Sequence, residues 1–255
     1  GPFASLLAPF GSLLKLGSES VRMSFDLLSE LLERNADHVA SLDADAFENR
    51  RDGQRPPVVS VCCSDSRVSQ EGMWAVDRPG FLFTAGNIGN RVSDTVDGER
   101  VLDGSVAYPL VYTETEVLAV VGHTGCGAVG AALNAVETGE LPADPGVKAD
   151  VSTLVPIVEA GLDALDGTGD GDADAATASV RNRLVEYNVH EQVAMARETD
   201  AAADASVYGF VYDFHGAYGG PDGAVYLVNA DGERDPDALR DRVGPEHAAR
   251  VATLL

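Results

Sequence analysis

Two short stretches of this chain share one pattern, in which an apolar run leads directly into small polar residues and side chains that bind metals. The run Val58–Val61 leads to Cys63, and the run Val117–Val121 leads to His123 and Cys126. Runs rich in valine are typical of strands that are buried on both faces of a parallel sheet. Open α/β sheets place their sites at the carboxyl ends of such strands. The pattern therefore predicts two neighbouring parallel strands with a functional site where they end.

The side chains at these strand ends form a ligand set typical of zinc. Two neighbouring strands would bring Cys63, His123 and Cys126 together, and two thiolates with one imidazole suit zinc. Three protein ligands leave a fourth position for water, which is the arrangement of a catalytic rather than a structural site. Because strand side chains alternate, Cys62 should point to the opposite face, and we expect it to be a small core residue.

The motif Cys63-x-Asp65-x-Arg67, followed by His123-x-x-Cys126, resembles the paired motif of the β-class carbonic anhydrases. In that family the two cysteines and the histidine bind one zinc ion per chain, and the Asp and Arg form a catalytic dyad. The resemblance implies the same roles here, with Asp65 as a possible fourth ligand in a closed form. It also implies zinc-dependent, reversible hydration of carbon dioxide to bicarbonate and a proton by way of zinc-bound hydroxide.

The resemblance covers roughly residues 24–230 and carries a fold with it. It implies an α/β fold, with a mainly parallel β-sheet flanked by helices, an N-terminal helical arm and a C-terminal antiparallel hairpin extension. The apolar stripe of Ser24–Ala40 predicts a helix. Val207–Asp213 and Ala224–Val228 are the expected hairpin strands. A further helix is predicted over Ala238–Leu255.

We expect residues 23–255 to form a single domain. Residues 1–22 are interpreted as an N-terminal extension, either a remnant of cloning or a helix that packs on a partner subunit. The segment from about 140 to 178 resembles the family least. It ends in a stretch of Asp, Gly, Ala and Thr that is typical of a solvated acidic insertion.

Three further residues match substrate-binding positions of the family. Gln54, nine residues before Cys63, matches a glutamine that lines the site from across the dimer interface. Phe83 matches an aromatic residue of the carbon dioxide pocket. Tyr108, fifteen residues before His123, matches the active-site tyrosine. Each also has a plainer interpretation: a surface loop for Gln54, core packing for Phe83 and a half-buried side chain for Tyr108.

Two positions depart from the pattern of bicarbonate-inhibited relatives. Those relatives hold a regulatory bicarbonate with an Arg and a Trp, where this chain has Gly86 and Ser60. The departures argue against the inhibited, closed type of site and leave the predicted zinc ligands unaffected.

The chain has a formal net charge of −23, and Lys15 and Lys148 are its only lysines. A surface this acidic repels nucleic acids and anionic membranes, so neither is an expected partner. Depletion of lysine with abundant aspartate is typical of proteins from salt-loving microbes, and an ordinary acidic cytosolic protein is the alternative. The chain has no run of eighteen apolar residues, so we expect no membrane span. No basic region precedes its apolar N-terminal stretch, so we expect no secretory signal.

The cysteine pattern and the resemblance together predict a compartment and an assembly. Cys62, Cys63 and Cys126 do not form a disulfide framework, and thiolate ligands favour a reducing compartment, here the cytoplasm. The family forms dimers or larger assemblies, so we expect a homodimer or a dimer of dimers that acts on carbon dioxide and bicarbonate. Of the histidines outside the motif, namely His38, His190, His215 and His247, one could relay protons.

Three other functions remain open at the level of sequence. Some relatives with the same ligands hydrolyse carbonyl sulfide or carbon disulfide. A non-catalytic module that binds zinc or bicarbonate would not need the dyad of Asp65 and Arg67. A thiol redox enzyme is disfavoured, because Cys62 and Cys63 do not form a Cys-x-x-Cys pair.

Overall fold

The computed structural model describes residues 10–166 and 180–255, with side chains from 26 to 165 and from 180 to 255. Contacts divide the chain into two units, Gly1–Glu48 and Asn49–Leu255. The first unit contains helix α1, and the second contains every β-strand of the described ranges.

The elements follow one another in a mixed order of strands and helices. The α-helices are α1 (Phe10–Ser41), α2 (Gln70–Met73), α3 (Gly104–Tyr112), α4 (Gly127–Thr138), α5 (Pro145–Asp166), α6 (Val180–Arg197) and α7 (Pro236–Val243). The strands are β1 (Val58–Cys63), β2 (Leu82–Asn87), β3 (Ser93–Val96), β4 (Glu99–Leu102), β5 (Val117–His123), β6 (Ser206–Asp213) and β7 (Ala224–Ala230).

The larger sheet has five strands in the order β2-β1-β5-β6-β7. The first four strands of this order are parallel, and β7 pairs with β6 in the antiparallel sense. Strands β1 and β5 are neighbours, and Cys62 lies opposite Val121 in their register. The prediction of a mainly parallel sheet with a C-terminal antiparallel hairpin is therefore confirmed.

Helix α6 packs on strands β5, β6 and β7, and helices α4 and α5 pack on one another and on α6. The core between these layers contains Val61 and Val120 from the strands, Leu154 from α5 and Val189 from α6, all at most 1% exposed. Central strands that are buried this deeply explain why their sequence is continuously apolar rather than alternating.

The other face of the sheet carries a smaller apolar cluster. Cys62, Ala119 and Val121 are buried there, with Trp74 and Phe210 packed against them. Cys62 thus faces away from Cys63, as strand alternation predicts, and burial raises the pKa of the Cys62 thiol to about 12. Its role as a small core residue follows.

Helix α1 extends beyond the predicted bounds of Ser24–Ala40. It begins at Phe10 and ends at Ser41, so it runs through the position where we divided residues 1–22 from 23–255. Its leucines Leu28 and Leu31 are 51% and 65% exposed. Across the described ranges, no helix has the length and apolar character needed to span a lipid bilayer.

Two predictions about the second unit need correction. The segment of about 140–178 is predicted to be a solvated insertion, but its first part forms α5, which ends at Asp166. Val151 and Leu154 of this helix are 1% exposed, so this part belongs to the core. Its most acidic part, 167–179, lies outside the described residues. The helix expected over Ala238–Leu255 ends at Val243, because Gly244 adopts a positive φ of 81° and Pro245 follows.

Candidate metal centre

The three predicted ligands meet at the carboxyl ends of β1 and β5. Cys63 and His123 are the last residues of these adjacent strands, and Cys126 is the N-cap residue of α4. Between the strand and the helix, Gly125 adopts a φ of +66°, which lets the chain turn back toward Cys63. The three ligand atoms lie within 4.8 Å of one another, and all three residues are buried.

The orientation of His123 is fixed by its backbone neighbour. Its Nδ1 lies 3.0 Å from the carbonyl oxygen of Thr124. A carbonyl only accepts, so Nδ1 carries the proton and Nε2 is left with a free lone pair. Among the described residues, this buried Nε2 has no hydrogen-bond partner. A buried, unpaired ring nitrogen beside two sulfurs is the donor arrangement that a metal ligand requires.

The two thiols are strongly coupled. The Sγ atoms of Cys63 and Cys126 are 3.7 Å apart, which is within hydrogen-bond distance for sulfur. This hydrogen bond lowers the pKa of Cys126 to about 4, and the same bond, with burial, raises the pKa of Cys63 above its ordinary value. Two buried thiolates at this distance repel each other unless a cation lies between them. The donor set, its burial and its spacing therefore fit zinc.

The predicted dyad lies at the edge of this cluster. The Nε and Nη2 of Arg67 donate to the two carboxylate oxygens of Asp65 at 2.9 and 2.7 Å. The backbone N–H of Arg67 donates to the same carboxylate at 2.9 Å. These bonds hold the pKa of Asp65 below its usual range. Asp65 Oδ2 is 3.7 Å from His123 Nε2, so one carboxylate oxygen faces the ligand cluster while remaining bonded to Arg67.

Gln54, Phe83 and Tyr108 do not join the ligand cluster. No hydrogen bond or ring contact within 26–165 and 180–255 connects any of them to a ligand side chain. Phe83 and Tyr108 lie together, with ring centroids 6.0 Å apart, and Tyr108 stacks next to the exposed Tyr112 at 5.6 Å. Gln54 is exposed in the segment before β1. The structure of one chain thus places these residues on its surface or at its core margin.

Phe214 is part of the site, although we did not predict it from the sequence. Its ring stacks on His123 with 5.7 Å between centroids and an interplanar angle of 18°. The guanidinium carbon of Arg67 lies 4.7 Å from the centre of the same ring. Phe214 therefore connects a metal ligand to the dyad. The only available signal was its position just after a predicted strand.

A buried carboxylate anchors the loop that carries Phe214. Asp213 is fully buried and accepts hydrogen bonds from the backbone N–H groups of His215 and Tyr218, each at 2.9 Å. It also accepts from the hydroxyl of Thr124 at 3.2 Å. The loop after β6 is thereby tied to the ligand loop after β5, which holds Gly125 and Cys126 in place.

Comparison with known proteins identifies the family. The family model described as carbonic anhydrase matches residues 58–219, more than half of the chain. A carbonic anhydrase of Emericella nidulans is 31% identical over 165 residues, which are 64% of this chain and 65% of that protein. The chain thus spans slightly less than two thirds of the length of this relative.

Two solved structures have a similar fold. The Coccomyxa β-carbonic anhydrase in complex with acetazolamide is 25% identical, with a TM-score of 0.62 over 84% of this chain and 91% of that one. A structure from a study of two tetrameric β-carbonic anhydrases of Sordaria macrospora is 19% identical, with a TM-score of 0.61 over 81% and 97% of the two chains. The fold and the cysteine–histidine site define a zinc protein of the α/β class. The chain belongs to the carbonic anhydrase family, in its β class, as its motifs indicated.

Proposed function

We propose that this protein catalyses the reversible hydration of carbon dioxide to bicarbonate and a proton, with one zinc ion held by Cys63, His123 and Cys126. The observation that carries the proposal is the convergence of three buried ligand atoms within 4.8 Å, with a bonded Asp–Arg pair at their edge. When bound there, zinc supplies Lewis acidity that makes water a better nucleophile, an effect for which carbonic anhydrases are the standard example.

Asp65 and Arg67 are proposed to orient the reacting water. Asp65 Oδ2 accepts a hydrogen bond from this water, which turns the oxygen lone pair toward the carbon of carbon dioxide. Arg67 holds the carboxylate with two side-chain bonds and keeps it from turning into the metal site. Within the described residues the candidate ligand group contains Cys63, His123 and Cys126 but not Asp65. This supports an open site rather than the closed form.

Gln54, Phe83 and Tyr108 are proposed to complete the site of a neighbouring subunit. Their distance from their own chain's ligands is explained if they face a second copy, where an apolar aromatic wall suits a small uncharged substrate. The Gln54 amide would donate to a bicarbonate oxygen without adding charge. In this proposal the functional unit is at least a homodimer, and a dimer of dimers is compatible with it.

The exposed leucines of α1 support the same assembly. Leu27, Leu28, Leu31 and Leu32 are between 51% and 66% exposed, and a stripe of this size favours contact with another subunit. We expect sedimentation velocity to give a dimer or tetramer for the wild type and smaller species for Leu28→Glu with Leu31→Glu. Glu30→Gln on the same helix is the control. A monomeric wild type would contradict the shared site.

The chemistry of the site and the composition of the chain support a proposal about the cellular compartment and the salt content of the host. Cys62, Cys63 and Cys126 are free thiols, and thiolate ligands survive in a reducing compartment, for which we propose the cytoplasm. The net charge of −23 supports a host that accumulates salt.

The proposed reaction is tested by stopped-flow hydration of carbon dioxide at high salt, with zinc measured on the same sample. We expect rapid turnover with about one zinc per chain. Cys63→Ser should lose both zinc and activity, because it removes a ligand, whereas the adjacent Cys62→Ala should keep both. A fully zinc-loaded wild type without turnover would refute the proposal.

A further inference from the structure

The hydration reaction releases one proton in each turnover, and that proton must reach bulk solvent. In CO2 + H2O → HCO3− + H+, the proton leaves the reacting water beside the ligand cluster. The ligand side chains themselves are buried, with His123 and Cys126 at most 1% exposed. A group that is both near this cluster and open to solvent is therefore needed for rapid release. Imidazole is the side chain best suited to take up and release protons near neutral pH.

His215 has this position. It follows β6 in the loop anchored by Asp213, and it is exposed. Its ring packs directly over Gly125, the residue before the ligand Cys126. A Cβ atom at Gly125 would lie 2.6 Å from Cε1 of His215. Only a glycine leaves space for the imidazole here, since even an alanine would displace the ring.

The hydroxyl of Thr124 fixes the tautomer of His215. This hydroxyl donates to the carboxylate of Asp213 at 3.2 Å and accepts from the N–H of Phe214 at 3.2 Å. Its remaining contact is with Nδ1 of His215 at 2.9 Å. A hydroxyl has one proton, which Asp213 receives, so Nδ1 must donate to the second lone pair of the oxygen. The neutral ring therefore carries its proton on Nδ1 and presents a bare Nε2.

This arrangement is compatible with both charge states of the imidazole. A protonated ring still donates from Nδ1 to Thr124, and the added proton resides on Nε2, which has no hydrogen-bond partner among the described residues. Two charged residues lie near this loop: Asp213 accepts from the backbone N–H of His215 at 2.9 Å, and the guanidinium of Arg67 packs on the neighbouring Phe214. Proton uptake and release at Nε2 thus require no rearrangement of the loop.

We propose that His215 is a proton relay residue, which takes the product proton at Nε2 and delivers it to solvent or buffer. The proposal rests on the hydration activity proposed above and extends it to proton release. Of the other histidines in Asn49–Leu255, His190 is 3% exposed and bonds Asn229, and His247 lines a separate cavity of about 610 Å³ beyond β7. Neither contacts the loop between the ligands.

The first test separates proton release from the hydration step. In weak buffer, His215→Gln should lower kcat roughly tenfold and leave kcat/KM unchanged, because the chemical step does not use the imidazole. Added 4-methylimidazole should restore kcat. His247→Gln is the matched control, and zinc content is measured for every variant. A His215→Gln enzyme with full kcat in weak buffer, or with kcat and kcat/KM lowered equally, would overturn the relay.

The second test does not depend on turnover. Nitrogen-15 spectra of the histidine rings in the zinc-loaded protein should show a neutral His215 protonated on Nδ1, the opposite of the form that histidine prefers in water. The signal is assigned by its loss in His215→Gln. A proton on Nε2 would overturn the proposal. If the wild type does not hydrate carbon dioxide, the proposed function fails together with the relay, whereas failure in the variant alone removes only the relay.

Discussion

Arg67 bonds Asp65 three times, twice through the guanidinium and once through its own backbone N–H. The exposed fraction of the Arg67 side chain is 52%, and that of Asp65 is 17%. Two residues so close in sequence can form this pair only because the chain turns sharply after β1, where the N–H of Val68 bonds the carbonyl of Asp65. The pair therefore depends on local backbone geometry as much as on charge.

Removal of Arg67 should separate zinc binding from catalysis. In Arg67→Ala we expect about one zinc per chain but a loss of hydration activity of roughly 10- to 100-fold, because Asp65 is no longer oriented. Stopped-flow assays with zinc analysis measure both quantities. Arg240→Ala, which removes a pair with Asp237 on α7 and a bond to the carbonyl of Val251, serves as the control. Full activity in Arg67→Ala would remove the dyad from the mechanism.

A buried tyrosine predicts a specific loss of stability at high pH. Tyr218 donates to Glu186 at 2.7 Å, and burial followed by the Glu186 charge raises the pKa of Tyr218 well above its ordinary value. The unfolded phenol titrates near pH 10, at about the ordinary value. Tyr218 therefore stabilises the fold fully below that pH, and this stability is lost as the pH rises above it.

Tyr218→Phe should lack this component of alkaline unfolding. Denaturant titrations from pH 8 to 11.5 should show the free energy of unfolding of the wild type falling more steeply above pH 10, by about 1.4 kcal/mol per pH unit, than that of the variant. Tyr226→Phe, which alters the ring stacked on Tyr218 at 4.6 Å, should keep the steep slope. Identical slopes for the wild type and Tyr218→Phe would contradict a proton held tightly by the fold.

At the scale of single residues, the sequence was informative where strands determine position. Cys63 and His123 end two valine-rich strands, so their meeting could be predicted from strand pairing and alternation. Phe214 and His215 could not be predicted in this way. They reach the site through a loop about ninety residues further along the chain, and only the pairing of β6 with β5 brings them there.

Among the elements, α5 shows how composition can hide a helix. The acidic end of the segment of about 140–178 predicts a solvated insertion, yet Val151, Leu154 and Val158 recur at helical spacing and are buried at 1% exposure. Leu154 also packs against Gly89, where a Cβ would lie 2.6 Å from its Cδ1. The periodicity was present in the sequence, but the composition of the neighbouring residues outweighed it in the prediction.

Helix α5 should therefore contribute directly to stability. Leu154→Ala is expected to lower the free energy of unfolding by about 2–5 kcal/mol, because it removes fully buried atoms and leaves a cavity. Val147→Ala, at a position of the same helix that is 43% exposed, should change it by less than about 0.5 kcal/mol. Urea titration of the two variants measures the difference. Equal and small effects would show that α5 is not part of the core.

For the whole molecule, the dominant electrostatic feature is its net charge of −23. The 41 acidic side chains outnumber the 18 lysines and arginines, and self-repulsion of the excess negative charge weakens the folded state. Salt screens charges that are further apart than the Debye length. This length is about 3 Å at 1 M salt and about 30 Å at 0.01 M, so concentrated salt removes most of the repulsion.

Thermal stability should therefore depend on salt. We expect the melting temperature of the wild type to rise by several degrees between low and multimolar potassium chloride. A far less charged member of the family serves as the control and should change much less. Circular dichroism at both salt concentrations measures the difference. Equal melting temperatures would contradict the proposal of a salt-adapted protein.

Two strand ends and one helix N-terminus are proposed to hold a single zinc ion through two thiolates and one imidazole. Zinc K-edge X-ray absorption of the loaded wild type measures this ligand set. We predict two sulfur neighbours at about 2.3 Å and two nitrogen or oxygen neighbours at about 2.0–2.2 Å, with the same spectrum in Asp65→Asn, since an open site does not use that carboxylate. One sulfur, or three with Cys62 included, would contradict the ligand set, and a changed spectrum in Asp65→Asn would contradict the open site.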